Sequence, residues 1–232
     1  MEIKTKAGIK AALAAKAKRS GVKIASATHN RRKTATEKTV KEAEVPVQTD
    51  TVAMSDKKKI LFVASECTPF IQTGGLAEVV GSLSKALAAS GKFDVRVVIP
   101  MYSDIKWEYK QKFNYIGNIY VPLAWRNQYC GIFTYEKDGV TFYFLDNEFY
   151  FKRPGCYGYF DDGERFAFFS RSVLEIMPFI NFYPDIMHCH DWQAALAAIY
   201  LKTNYCFRQE YQFIKALFTI HNIEYQGIYS MD

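Results

Sequence analysis

The chain has 232 residues, of which 49% are hydrophobic and 16% aromatic, so it can bury a sizeable core. No apolar run approaches the ~18 residues of a membrane span, and the N-terminus lacks the apolar core of a secretory signal, which argues against a membrane partner. Five scattered cysteines without CxxC spacing favour neither a disulfide framework nor a metal site, and they fit a reducing cytoplasm.

The formal net charge of +6 belongs entirely to the beginning of the chain. Residues 1–56 contain 12 Lys or Arg and 6 Asp or Glu, whereas residues 57–232 contain 18 of each. The part expected to fold, residues 57–232, is therefore neutral. This balance argues against a basic groove for nucleic acid.

Residues 1–56 contain no aromatic residue and are rich in Lys, Ala and Thr. They have little apolar area to offset the entropy lost on ordering, so we predict a basic disordered tail. Two functional alternatives stay open. The run Arg31-Arg32-Lys33 could contact nucleic acid or a membrane surface, and the segment could be an organelle transit peptide.

Residues 60–89 predict a strand, a glycine loop and a helix. An apolar run over 60–64 is followed by a loop with Gly74 and Gly75, and then by apolar residues at helical spacing from Leu76 to Leu87. Glycines let a backbone approach a ligand closely, and the N-terminus of a helix presents unpaired N–H groups to an anion. The unit is therefore a candidate phosphate site, with a simple chain turn as the alternative.

The next elements predict a βαβ crossover and then a β-rich segment. Residues 94–100 form a second buried strand, which Pro100 ends. Three further strands are predicted over 115–123, 128–135 and 140–146, paired antiparallel at or beside the edge of a parallel sheet. Trp107 and Trp125 are expected to be packing residues.

Residues 149–162 form an aromatic loop, and helical periodicity resumes over 164–177 until Pro178, which is expected to stop the helix. The loop contains three tyrosines and two glycines. Aromatic side chains in such a loop suit sugar rings, although they are also common in protein cores.

The last third again places polar clusters after strands. A strand over 185–189 ends in the segment HCHDW, from which a helix begins, and a strand over 215–220 ends at His221 and Asn222. In an open parallel sheet the carboxyl ends of the strands meet at one edge, where such folds bind ligands. We therefore expect the glycine loop, Asp191 and His221 to share one cleft.

The chemistry of these clusters has several interpretations. A zinc site is not predicted, because we expect His188 and His190 to face opposite ways and see no third ligand cluster. Asp191 could cap the helix that follows it, and His221 could be a hydrogen-bonded strand-end histidine. No serine lies in a GxSxG-like context, so a Ser/His/Asp triad is not suggested.

Three motifs together resemble one enzyme family. QTGGLAEV at 72–79 resembles the K-T-G-G-L-A-D-V loop of the ADP-glucose-dependent bacterial glycogen synthases and plant starch synthases. HCHDWQ at 188–193 and TIHNIEYQG at 219–227 resemble that family's H-x-H-D-W and T-x-H-N-x-x-Y-Q-G segments, in the same order and spacing. The resemblance runs from about Lys59 to the C-terminus.

The resemblance implies an α/β fold, with a Rossmann-like parallel sheet and helices on both faces, as the N-terminal half of a GT-B enzyme. It implies a retaining transfer of glucose from ADP-glucose to the non-reducing end of an α-1,4-glucan. No cofactor is expected, and no metal requirement is visible in the sequence. Asp191 and His221 would be catalytic. The residues implied in substrate binding are Gln72, Gly74, Gly75, Tyr157 and Asn222.

Two departures from the family qualify these expectations. Gln72 stands where the family usually has a lysine, which removes a cation near the donor phosphates. The family also has a second Rossmann-like domain, missing after Asp232, so the isolated chain is expected to be inactive. Two alternatives stay open: a non-catalytic glucan-binding module, and a GT-B enzyme with another nucleotide-sugar donor.

Overall fold

The computed structural model of the protein describes residues 57–229. The predicted disordered tail over residues 1–56 lies outside the described residues. Among residues 57–229, no helix combines the length and the apolar character that crossing a membrane would require.

Within residues 57–229, seven strands form one mixed sheet in the order β3-β4-β5-β2-β1-β6-β7. Their bounds are β1 Lys58–Val63, β2 Phe93–Pro100, β3 Asn114–Leu123, β4 Arg126–Lys137, β5 Val140–Asp146, β6 Ile186–His190 and β7 Lys215–Thr219. The five neighbouring strands β5, β2, β1, β6 and β7 are parallel, and β3 and β4 extend the sheet by antiparallel pairing. The predicted α/β class is confirmed.

One strand pairing differs from the expectation. The antiparallel pairing of β3 with β4 and of β4 with β5 is confirmed, but β5 also pairs parallel with β2. β5 is thus an interior strand of the sheet, where it joins the antiparallel strands to the parallel ones. Its composition agrees with this position, because strands buried on both faces read as nearly continuous apolar runs, and Phe142 to Leu145 are all buried.

Within residues 57–229 the structure has five α-helices and a short 3₁₀ helix, Gln209–Tyr211. They are α1 Gly75–Ala89, α2 Trp107–Lys110, α3 Glu148–Phe151, α4 Asp162–Phe179 and α5 Asp191–Thr203. α1 packs on β2 and β5, whereas α4 and α5 pack on each other. Right-handed crossovers that run in opposite directions along the sheet put these two groups on opposite faces.

α4 continues past the predicted stop. Pro178 lies inside its last turn, and the helix ends at Phe179. A proline cannot donate to the carbonyl four residues earlier, which here belongs to Leu174. That carbonyl instead accepts a hydrogen bond of 2.8 Å from the hydroxyl of Tyr211. The freed acceptor is thus satisfied, and the proline is tolerated.

The core lies between the sheet and the helices, with Phe62 of β1, Phe144 of β5 and Phe168 of α4 all buried. The predicted packing roles of the two tryptophans are wrong, because Trp107 and Trp125 are 74% and 87% exposed. Both lie in the antiparallel part or its connections, at the start of α2 and between β3 and β4. Neither position faces the core that the parallel strands build.

Candidate functional site

A cleft of about 970 Å³ lies where the strands β1, β6 and β7 end. Its walls come from the glycine loop after β1, the aromatic loop before α4, the first turn of α5 and the segment after β7. The residues that line it are Glu66, Thr73, Gly74, Gly75, Leu76, Val79, Tyr157, Gly158, Asp162, Asp191, Trp192, Gln193, His221, Asn222, Glu224, Tyr225, Gln226, Gly227, Ile228 and Tyr229. Six of the seven residues predicted for the site therefore share one cleft.

Gln72 is the exception, because it is exposed and does not line the cleft. Its side-chain amide donates a hydrogen bond of 3.0 Å to the carboxylate of Glu78, one turn into α1. Asn222 does line the cleft, and its side-chain oxygen accepts the backbone N–H of Glu224 at 3.0 Å. The structure thus brings Asn222 to the site and leaves Gln72 beside it.

The glycine loop opens the N-terminus of α1 to the cleft. Gly74 precedes the helix in an extended conformation that any residue can adopt, and no side chain caps the helix there. A Cβ placed on Gly74 or Gly75 would have nothing within 4 Å among the described residues. These glycines are therefore required neither by backbone strain nor by packing. What they preserve is open space in front of the helix N-terminus.

Glu66 is a cleft residue that the sequence reasoning missed. Its side chain is buried and accepts hydrogen bonds from the backbone N–H of Thr73, from the Thr73 hydroxyl at 2.7 Å and from the Tyr157 hydroxyl at 2.6 Å. A carboxylate just after a buried apolar strand, at the carboxyl edge of the sheet, was the available signal. Glu66 joins the glycine loop to the aromatic loop.

Tyr157 is half-buried, and its hydroxyl is engaged within the protein. Besides the bond to Glu66, it lies 2.7 Å from the hydroxyl of Ser65. Burial raises the pKa of Tyr157 well above its ordinary value, and the neighbouring Tyr102 and Glu66 add to the effect. Its hydroxyl therefore stays protonated and positions the loops, while one face of the residue lines the cleft.

Asp191 adopts a backbone conformation that non-glycine residues rarely use, with a φ of 55°. Its carboxylate does not cap α5, since the N-cap residue is His190 and carries no side-chain cap bond. Instead it accepts the backbone N–H of His221 at 2.6 Å, which ties the end of β6 to the end of β7. Backbone strain of this kind is typical of functional sites.

His188, His190 and His221 form a row of imidazoles. The expectation that His188 and His190 face opposite ways is wrong: residues two apart in a strand share a face, and their ring centroids are 4.0 Å apart. His190 Nδ1 lies 2.9 Å from His221 Nε2, and His188 Nε2 lies 2.8 Å from the Thr219 hydroxyl. Within residues 57–229, no group of three His, Cys, Asp or Glu side chains is arranged to hold a metal ion.

The backbone after β7 closes the cleft against Trp192. Gly227 has a φ of +65°, and a Cβ there would lie 2.4 Å from Cδ2 of Trp192. Glycine is thus required at this position by both conformation and space. The close approach puts residues 225–229 along the wall of the cleft, with Tyr229 5.5 Å from Trp192 between ring centroids.

Acid should destabilise the protein through His190. Burial lowers its pKa from 6.5 to about 3, and the nearby His188 and His221 add to the effect. Because the unfolded chain takes up this proton near pH 6.5 and the folded chain does not, the free energy of unfolding falls as the pH drops from 6.5 towards 3. We expect a loss of about 3 kcal/mol between pH 7 and pH 4, measured by urea unfolding.

The variant His190→Phe is the control for this prediction. It removes the titrating group but keeps an aromatic ring against Phe62, whose centroid lies 5.5 Å from that of His190. Its stability should depend less on pH over the same range. Parallel pH curves for the variant and the natural chain would show that His190 does not cause the acid sensitivity.

Comparisons with known proteins match the described part of the chain. Residues 59–232 match the family model described as the starch synthase catalytic domain. The chain is 53% identical over 171 residues to a glycogen synthase of Desulforamulus reducens and 49% identical over 172 residues to one of Lactobacillus acidophilus. These matches cover 74% of this chain, but only 35% and 36% of the two relatives.

A solved structure agrees with these relatives. The chain superposes on the catalytic domain of starch synthase IV from Arabidopsis thaliana, bound to ADP and acarbose, with a TM-score of 0.66 and 28% identity. The match covers 73% of this chain and 35% of that one. The chain thus spans about a third of the length of the proteins it resembles. Because residues 59–232 match the family model, the chain belongs to the starch synthase catalytic-domain family.

Proposed function

We propose that this chain forms part of a glucosyltransferase that moves glucose from ADP-glucose to the non-reducing end of an α-1,4-glucan. The observation that carries the proposal is the cleft that joins an uncapped helix N-terminus, the strained Asp191 and His221. The relatives are glycogen synthases, and the matched structure is a starch synthase catalytic domain bound to ADP and acarbose. A nucleotide and a glucan-like sugar are therefore the ligands that we propose here.

The cleft offers each part of a sugar nucleotide a complementary group. The N-terminus of α1, reached past Gly74 and Gly75, suits the phosphates, because its free N–H groups and its dipole attract negative charge. The carboxylate of Asp191 favours positive charge that develops at the anomeric carbon as the bond to phosphate breaks. His221 can orient the sugar by hydrogen bonding, which reduces the entropy lost in reaching the reactive geometry.

We assign the transfer reaction to a longer protein. This protein contains the present domain and the remaining length that its relatives have, including the second Rossmann-like domain that the resemblance implies. The decisive test is a donor panel on such a protein. ADP-glucose, UDP-glucose and ADP-mannose are offered with glycogen, and incorporated sugar is measured. Transfer from ADP-glucose supports the proposal. Transfer only from another donor would assign a different GT-B activity.

A glucan-binding module without catalysis is the second candidate. It is favoured by the aromatic loop, where Phe149 and Phe160 are 63% and 103% exposed, because exposed aromatic rings suit sugar faces. Arg153 supports this surface by pairing with Asp161 at 2.6 Å and 2.8 Å. This candidate predicts glycogen binding that does not require Asp191.

A cytoplasmic location is part of the proposal. All five cysteines, which lie within the described residues, are free thiols, and four of them are buried. Burial raises the pKa of Cys67, Cys130 and Cys189 to about 12, so these thiols are unreactive. Buried free thiols fit a reducing compartment.

Adding a methyl group in front of α1 should weaken donor binding without unfolding the protein. Gly75→Ala places a Cβ in open space and improves helix propensity, so the free energy of unfolding should stay within about 0.5 kcal/mol. The methyl group occupies space that we assign to phosphate, so the affinity for ADP-glucose should fall about tenfold. Isothermal titration calorimetry on the longer protein measures this.

Gly81→Ala is the matched control on the same helix. Its Cβ would lie 2.2 Å from Oγ1 and 2.8 Å from the backbone oxygen of Thr68, so this variant should lose stability. Comparing the two variants should therefore separate an effect on ligand affinity from an effect on packing and stability. Unchanged ADP-glucose affinity in Gly75→Ala would contradict the assignment of the phosphate site.

Restoring the family's lysine should strengthen donor binding by only a small factor. A lysine at Gln72 adds a cation near the proposed phosphate site, but Glu78, which now binds the Gln72 amide, would compete for it. We expect a few-fold gain in ADP-glucose affinity for Gln72→Lys, and a larger gain when Glu78→Gln is added. Calorimetry that shows no gain in the double variant would exclude a phosphate-facing role for this position.

A further inference from the structure

The row of imidazoles contains one ring that cannot reach a ligand. His190 is fully buried, whereas His221 is partly exposed and lines the cleft. Phe62 stacks on the His190 ring at 5.5 Å with an interplanar angle of 14°, and His188 packs against it at 4.0 Å. His190 therefore has a fixed orientation, and its Nδ1 is aimed at His221.

The hydrogen bond between His190 and His221 requires one proton, carried by one of the two nitrogens that it joins. The 2.9 Å distance joins His190 Nδ1 and His221 Nε2, so one of these atoms donates and the other accepts. Because burial keeps His190 neutral at neutral pH, its ring carries a single proton, on Nδ1 or on Nε2. Where that proton lies decides the protonation pattern of His221.

The surroundings of His190 Nε2 distinguish the two arrangements. This atom is buried and has no hydrogen-bond partner within residues 57–229. If it carried the proton, a buried N–H would be left unpaired. If the proton is on Nδ1, only an acceptor lone pair is left without a partner, which proteins tolerate better than an orphaned N–H.

We propose that His190 is a positioning residue that donates its Nδ1–H to His221 Nε2 and so fixes His221 as the tautomer protonated on Nδ1. His221 then offers a ligand a hydrogen-bond donor. Two neighbouring titratable groups do not compete for this bond: the Nε2 of His188 lies against the Thr219 hydroxyl, and the Asp191 carboxylate accepts the backbone N–H of His221.

The consequence for catalysis rests on the proposed function. A sugar hydroxyl or another ligand oxygen that meets His221 would accept a hydrogen bond from Nδ1. His221 would thus orient the glucose as a donor, and it would not act as a general base, since its other nitrogen is occupied by His190. The tautomer itself does not depend on which ligand the cleft binds.

The experiment is a long-range ¹H–¹⁵N correlation spectrum of the 232-residue chain, labelled with ¹⁵N-histidine, at pH 7. The four histidines are assigned by single replacements. We expect both His190 and His221 to show a protonated Nδ1 and an unprotonated Nε2. An Nε2-protonated His221, or an Nε2-protonated His190, would overturn the proposal.

Two variants test whether His190 is the cause. His190→Asn keeps a side-chain N–H donor near the position of Nδ1, so His221 should remain protonated on Nδ1. His190→Phe keeps the ring but has no donor, so His221 should populate the Nε2-protonated form. Retention of the Nδ1–H form in His190→Phe would overturn the positioning role. If the tautomers are as expected but the longer protein transfers no glucose from ADP-glucose, the proposed function alone is contradicted.

Discussion

Replacing Asp191 with asparagine is expected to lower the kcat of glucose transfer by about 100-fold or more in the longer protein. Asparagine keeps the shape of the side chain, tolerates the positive φ of 55° and retains an oxygen for the backbone N–H of His221. The substitution removes the negative charge that we propose faces the positive charge developing at the anomeric carbon. Steady-state rates with ADP-glucose and glycogen measure the effect.

The same variant should fold normally. Since the backbone conformation and the bond to His221 are preserved, we expect the free energy of unfolding to change by less than about 0.5 kcal/mol. Asp191→Ala is the contrasting variant: it loses the bond to His221 and tolerates the positive φ poorly, so it should be destabilised as well as inactive. Full activity in Asp191→Asn, with glycogen binding intact, would favour a binding module over a catalytic domain.

Removing the Glu66 side chain is expected to disorganise the glycine loop. Glu66→Ala takes away the acceptor for the Thr73 N–H, the Thr73 hydroxyl and the Tyr157 hydroxyl. Thr73 is exposed and can bind water instead, and Tyr157 keeps its contact with Ser65, so we expect a loss of about 2 kcal/mol in unfolding free energy. Because a small misplacement at a reacting site costs about 100-fold in rate, kcat/KM should fall by about that factor.

Two controls isolate the role of Glu66. Glu78→Ala removes another glutamate of the same region, but an exposed one, and should change the stability by less than about 0.5 kcal/mol. Tyr157→Phe breaks only the bonds of the tyrosine hydroxyl. A double-mutant cycle of Glu66→Gln with Tyr157→Phe should give a coupling free energy above about 0.5 kcal/mol. Additive effects would show that the two side chains do not act together.

Much of this fold follows from local patterns in the sequence. Strand and helix periodicities placed β1, α1, β2, β6, α5 and β7 near their observed bounds, because hydrophobic period and helix-start chemistry depend on nearby residues. The motifs at the strand ends placed Gly75, Asp191 and His221 at one edge, since parallel strands all point the same way. The topology rule, together with those motifs, was sufficient to predict the cleft.

Local patterns in the sequence do not predict interactions between residues that are far apart in the chain. Only the tertiary structure showed that Glu66 bonds to Tyr157, 91 residues away, and that His190 bonds to His221 across 31 residues. It also decided that β5 joins the parallel strands and that the Asp191 carboxylate ties two strand ends instead of capping its helix. The physical reason is that hydrophobic period fixes which way a side chain faces, whereas its hydrogen-bond partner depends on which segments the packed sheet brings within about 3 Å.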